Sequence, residues 1–294
     1  MSLFRPYNYK PKPDLPANAP VKHGFFLFFE LFIRKFWRFI SLNIFYFLVT
    51  LPMLLFVYFT VNGYFAEYLV MENGEFQSML GGVDVFAVVV SWVPRVLHLP
   101  LFFLSLILYG PATMGLTYIF RNYAREEHAW LSDFVSRGLA NFRQGLFFGL
   151  LDAVVVYLLM NGMVANIFAA AAPTIILRTL CILFLVVYLF MRHYFYMIAV
   201  SVNLNVFAIL KNAWLFVVLG FWRNCVAGLV CLGVTVLVFF TLPLVTLILL
   251  PTLYYAVTGF CVVFTCWPVV KRYIIVPAME KAAAEKGSGE ESAD

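Results

Sequence analysis

The chain has 294 residues, of which 64% are hydrophobic and only 12% charged, with a net charge of +5. Soluble domains carry roughly 25% charged residues. The composition therefore excludes a water-soluble fold, which could not hide so much apolar surface, and points to an all-α polytopic membrane bundle.

Residues 1–23 are polar and rich in proline, and read as a flexible cytosolic arm. No short apolar core with a small-residue cleavage site follows, so the first membrane-length run is expected to remain as a span rather than act as a signal. Over 24–38, Phe25, Phe28, Phe29, Phe32 and Phe36 recur at helical spacing, and Glu30 and Arg34 stand four apart. This predicts an amphipathic helix lying on the inner leaflet, as an anchor or as a dock for a partner.

Six spans are predicted within 39–280, at about 39–63, 97–120, 145–168, 174–194, 225–242 and 249–270. A crossing takes ~20 apolar residues and must satisfy its own backbone hydrogen bonds, which a helix does. No charged residue occurs between Arg223 and Lys271, a stretch that fits two crossings, with Pro243 and Pro251 expected to bracket the turn between them. Pro52 and Pro111 fall inside spans, where proline kinks a helix.

Charge sets the orientation. Arg34, Lys35, Arg38, Arg121, Arg125, Arg137, Arg143, Arg192, Lys211, Arg223, Lys271 and Arg272 fall in segments placed inside. The loop 64–96 carries Glu67, Glu72, Glu75 and Asp84 against Arg95. Both termini are then cytosolic. Within that acidic outer loop, the apolar segment 83–97 reads either as an interfacial or re-entrant helix or as an extension of the second span.

The inner loop after span two predicts a short amphipathic helix over 131–143, with Ser132 or Asp133 able to cap its start and Leu131, Phe134, Val135, Leu139 and Phe142 on its apolar face. It packs beneath the bundle or is offered to a cytosolic protein. A faint echo pairs 139–147 with 207–215, which suggests that spans two and three repeat as spans four and five. The tail, 281–294, is rich in Ala, Glu, Lys, Gly and Ser and reads as disordered.

Two blocks of residues resemble the YesL-like membrane proteins of Gram-positive bacteria. One runs from Gly24 to Trp37. The other holds Gly110-Pro111-Ala112-Thr113, then Arg121, then Asp133-Phe134. The long acidic outer loop departs from that family's pattern. The resemblance implies a multi-span protein of the bacterial plasma membrane with an accessory role in carbohydrate uptake by ABC-type systems, or in its regulation. Sugar ABC transporter subunits are the implied partners, and the family has no catalytic residues to carry over.

Among ionisable groups, Asp152 stands out because it lies inside span three. A carboxylate at that depth faces the bundle interior, where it contacts a cation or substrate or is bonded to another helix. Arg178, near the outer start of span four, can snorkel to the headgroups; its offset from Asp152 along the membrane normal argues against a direct ion pair. Asn161 and Asn166 can bond across helices. Gly110 and Pro111 read as a packing kink or as a hinge. The five cysteines lie in apolar runs without a C-x-x-C pair, and the four histidines lack metal-ligand spacing, so no cofactor or metal is expected. No catalytic motif or P-loop occurs. The expected function is a non-enzymatic membrane accessory protein, the alternative a transporter or permease subunit in its own right.

Overall fold

A computed structural model describes residues 24–73, 85–164, 172–240 and 242–280, the side chains of 25, 60–98, 164 and 243 excepted. The arm 1–23, the tail 281–294 and Asn166 lie outside the described residues. The described chain is all-α, without a strand. Six of its helices are long and apolar enough to cross a membrane; each overlaps a predicted span, the fourth running on to Ser201 and the sixth from Leu244 to Glu280. In chain order the elements are α1 Phe25–Arg34, α2 Phe36–Asn73, α3 Val85–Ala124, α4 Leu131–Ala140, α5 Phe142–Val164, α6 Ala172–Ser201, α7 Val206–Leu219, α8 Phe221–Phe240, α9 Pro243–Leu249 and α10 Tyr255–Val270. Helix α3 is the hub, packing against α2, α4, α5, α6 and α10. Large apolar side chains along α6 and α8, such as Leu183, Phe184, Leu229 and Leu232, are exposed on the outer surface, as lipid-facing positions of a bundle should be.

Three expectations need correction, and one choice left open is decided in favour of a single long second span. The helix expected over 24–38 stops at Lys35, and Phe36 already opens α2. The face of α1 that packs is Phe28, Leu31 and Phe32: Phe28 stacks on Phe260 at 5.2 Å and Phe32 on Phe39 at 4.8 Å. Likewise the helix expected over 131–143 ends at Ala140. The segment 83–97 is largely part of α3, whose 40 residues run without interruption from Val85 through Pro111 to Ala124. Pro251 lies within the last span rather than in the turn before it.

The last point has a local cause. Proline lacks an N–H and its ring crowds the carbonyl one turn back, and here the helix widens into a π turn over Leu250–Tyr254. The groups freed by that widening are satisfied from α2. The fully buried Asn43 donates from Nδ2 to the Leu250 carbonyl at 3.0 Å and accepts from the Ala256 N–H at 2.8 Å. Asn43→Leu keeps the volume but strands both groups, at a cost of about 1–3 kcal/mol each. We expect a clear drop in the melting temperature of the detergent-solubilised variant; unchanged stability would show that the π turn does not rely on this side chain.

A repeat runs through the fold. Three short helices, α1, α4 and α7, each end in a single-residue break that leads directly into a span. The break residues share one backbone conformation: φ −109°, ψ 15° at Lys35; φ −105°, ψ 21° at Asn141; φ −99°, ψ 14° at Gly220. Each backbone N–H reaches back to the carbonyl four residues earlier, and each carbonyl accepts from the residue four later, Phe39, Gly145 or Asn224. The equivalent positions Leu42, Phe148 and Ala227 are all buried. The sequences around the breaks match accordingly: Lys35-Phe36-Trp37-Arg38, Asn141-Phe142-Arg143-Gln144 and Gly220-Phe221-Trp222-Arg223. The echo of 139–147 with 207–215 is thus out of register. The first segment straddles the α4–α5 break, whereas the second lies inside α7.

Candidate functional site

Asp152 lies ten residues into α5, about 15 Å along a helix that rises ~1.5 Å per residue, and so near the middle of a ~30 Å hydrocarbon layer. It is 3% exposed. Its partners come from one face of α6, where Tyr188, Arg192 and Tyr196 follow at four-residue spacing. Tyr188 donates its hydroxyl to Oδ1 at 2.6 Å, while Arg192 Nε at 2.8 Å and the Tyr196 hydroxyl at 2.9 Å both donate to Oδ2. The Arg192 guanidinium also donates to the Tyr109 hydroxyl on α3 and lies over the Tyr196 ring at 5.1 Å. The Thr113 hydroxyl donates to the Tyr109 carbonyl at 2.8 Å, which leaves the Tyr46 hydroxyl to donate to Thr113 Oγ1 at 3.1 Å. A polar chain therefore links α2, α3, α5 and α6 through the bundle centre.

Physically, this arrangement holds an ionised carboxylate inside the membrane. The guanidinium cancels its charge, and three hydrogen bonds stand in for the water it has lost. Arg178 is not the partner. It sits near the start of α6, roughly 20 Å along the same helix from Arg192.

Beside the ion pair lies a seam of glycines. A Cβ on Gly110 would fall 1.9 Å from the Gly145 carbonyl oxygen, and one on Gly149 would fall 3.0 Å from the Gly110 Cα. Pro111 continues the seam, its carbonyl 2.9 Å from where a Gly138 Cβ would stand. Gly115 meets the Phe134 carbonyl in the same way at 2.4 Å. Gly110 and Pro111 are therefore a packing surface on which the α4–α5 hairpin seats, with α3 unbroken through both. This contact brings α3 and α5 close enough for Tyr109 to reach the guanidinium that Asp152 holds.

The other candidates fall around that hairpin. Phe134 is buried, with its ring 5.2 Å from that of Phe45. Asp133 does not occupy the cap position. It stands in the first turn of α4 and accepts the Trp130 N–H at 2.8 Å, which is one half of a capping box. Arg121 is buried near the end of α6, donating to the Val200 carbonyl and to the Ser201 hydroxyl at 3.4 Å. There it satisfies a carbonyl that the terminating helix leaves without an internal partner.

Fold and site together define a polytopic helical membrane protein braced by a buried ion pair. Comparison with known protein families, with curated proteins and with solved structures gives no match. Sequence reasoning placed Arg192 in an inner loop and passed over Tyr188, Tyr196, Tyr109 and Asn43. The overlooked signal was the Tyr-x-x-x-Arg-x-x-x-Tyr spacing, which puts three polar groups on one face of an otherwise apolar helix.

Proposed function

We propose that the chain is a non-enzymatic accessory protein of a bacterial plasma membrane, with both termini cytosolic, and that it works beside an ABC-type carbohydrate uptake system. The resemblance of the segments 24–37 and 109–134 to YesL-like proteins motivates the pathway. One structural observation supports the accessory role: the carboxylate inside the membrane has both oxygens taken by Tyr188, Arg192 and Tyr196. A transporter or permease subunit in its own right would need that group to meet a solute or cation, and would have to break three internal bonds each time. Affinity purification in mild detergent is expected to recover sugar ABC transporter subunits with the tagged chain. Recovery of the chain alone, under conditions that keep known membrane complexes intact, would overturn the proposal.

A further inference from the structure

We infer that the cleft between the start of α2 and the α3–α4 turn is a binding site for the headgroup of an anionic phospholipid. The cleft encloses about 240 Å³. Trp37 and Trp130 form its walls, Leu42 and Ile119 its apolar floor, and Arg38 and Ser41 its polar side.

The charge balance is what selects an anion. Glu127 is paired with Arg125 at 2.7 Å, and Glu126 at 3.5 Å shares Arg34 with Glu30 at 3.8 Å. Asp133 keeps its charge, which is turned to the N-terminus of α4, where it accepts the Trp130 N–H and meets the positive end of the helix dipole. Arg38 pairs with no carboxylate among the described residues. Its guanidinium lies 3.5 Å from His128 Nδ1 and 5.2 Å from the centre of the Trp130 ring. The half-buried cation is thus held in place by a ring and an imidazole, and no carboxylate among the described residues cancels its charge. A guanidinium donates paired N–H bonds to phosphate oxygens.

The walls select a lipid over a soluble ion. Trp37 and Trp130 are 77% and 63% exposed, and indole rings favour the headgroup layer. The cleft lies at the first turn of a span, the depth at which that layer ends, and its floor suits the glycerol and first methylenes of an acyl chain. The repeat adds an independent indication. Trp222 and Arg223 occupy the places of Trp37 and Arg38 at the third break, with Trp222 79% exposed, but no α3–α4 turn covers them there. A Trp-Arg pair with an exposed indole thus recurs at the start of a span, and at the first copy the α3–α4 turn roofs it into a cleft.

Native mass spectrometry of the full chain in mild detergent, titrated with phosphatidylglycerol and with phosphatidylcholine, tests this. The wild type is expected to retain one phosphatidylglycerol in preference to phosphatidylcholine. Arg38→Gln should weaken that binding about tenfold, and Arg223→Gln should leave it unchanged. If Arg38→Gln does not fold, Trp130→Ala at the exposed wall should show the same selective loss. Equal affinity for the two lipids, undiminished binding in the Arg38 and Trp130 variants, or displacement of the lipid by millimolar inorganic phosphate would each overturn the assignment.

Discussion

Replacing Asp152 by Asn, or Arg192 by Gln, should each destabilise the detergent-solubilised protein by about 3–5 kcal/mol, because either change strands a buried charge. For a chain of this size the loss corresponds to a fall in melting temperature on the order of 10 °C. The effect follows from where the charges sit. At mid-membrane depth an ionised group has no water to turn to, and an Arg or Asp at a helix centre is penalised by roughly 2.5–3.5 kcal/mol even by the mildest insertion scales. In the native bundle that penalty is offset because Asp152 receives three donors and Arg192 spans Asp152 and Tyr109. Tyr188→Phe and Tyr196→Phe each remove one donor to the carboxylate and should cost less, about 1.5–3 kcal/mol. Thermal unfolding followed by tryptophan fluorescence gives all four values. Single charge variants as stable as the wild type would mean that the pair does not brace the bundle.

A second large effect is expected at the glycine seam. Gly110→Leu cannot be accommodated by a side-chain rotation, because the first added carbon already overlaps the Gly145 carbonyl at 1.9 Å. The α3 and α5 backbones must separate, and neither is the flexible end of a side chain. Small residues at helix crossings in lipid let backbones approach and gain dispersion contacts, so separation costs the contact itself. It also draws Tyr109 away from Arg192, so the loss should exceed the ~1–3 kcal/mol typical of overpacking in an ordinary core. Size-exclusion chromatography in detergent should show the variant largely aggregated or proteolysed, whereas Gly233→Leu, whose Cβ would meet nothing within 4 Å, should elute as the wild type does. A well-behaved Gly110→Leu protein would refute the close crossing.

The spans could be read from the chain because each is an apolar run of membrane length, a signal that needs no tertiary information. The single-residue breaks could not. Lys35, Asn141 and Gly220 interrupt the helix for one position, and the apolar periodicity continues on either side almost undisturbed. Helix α7, with 14 residues, falls short of a crossing, so the length signal that marks a span passes over it. Arg192 was misplaced for a related reason: basic residues gather at span ends, and one buried within a span looks the same in one dimension. The Gly110-Pro111 block reads in one dimension as a packing kink or a hinge. That glycine is required on both sides of a crossing becomes visible only when Gly145 and Gly149 are brought against it. Asn43 is a lone amide in an apolar run, and nothing local shows that its partners lie two hundred residues away at a π turn.

The ion pair as a closed structural tie is the claim on which the functional reading depends, and a double-mutant cycle over Asp152→Asn and Arg192→Gln measures it directly. Unfolding of wild type, both single variants and the double variant in the same micelles should give a coupling free energy of roughly 2 kcal/mol or more, with the double variant recovering part of what each single one loses. Additive losses, with coupling within about 0.5 kcal/mol of zero, would contradict the account and return Asp152 to the pool of groups free to meet a solute.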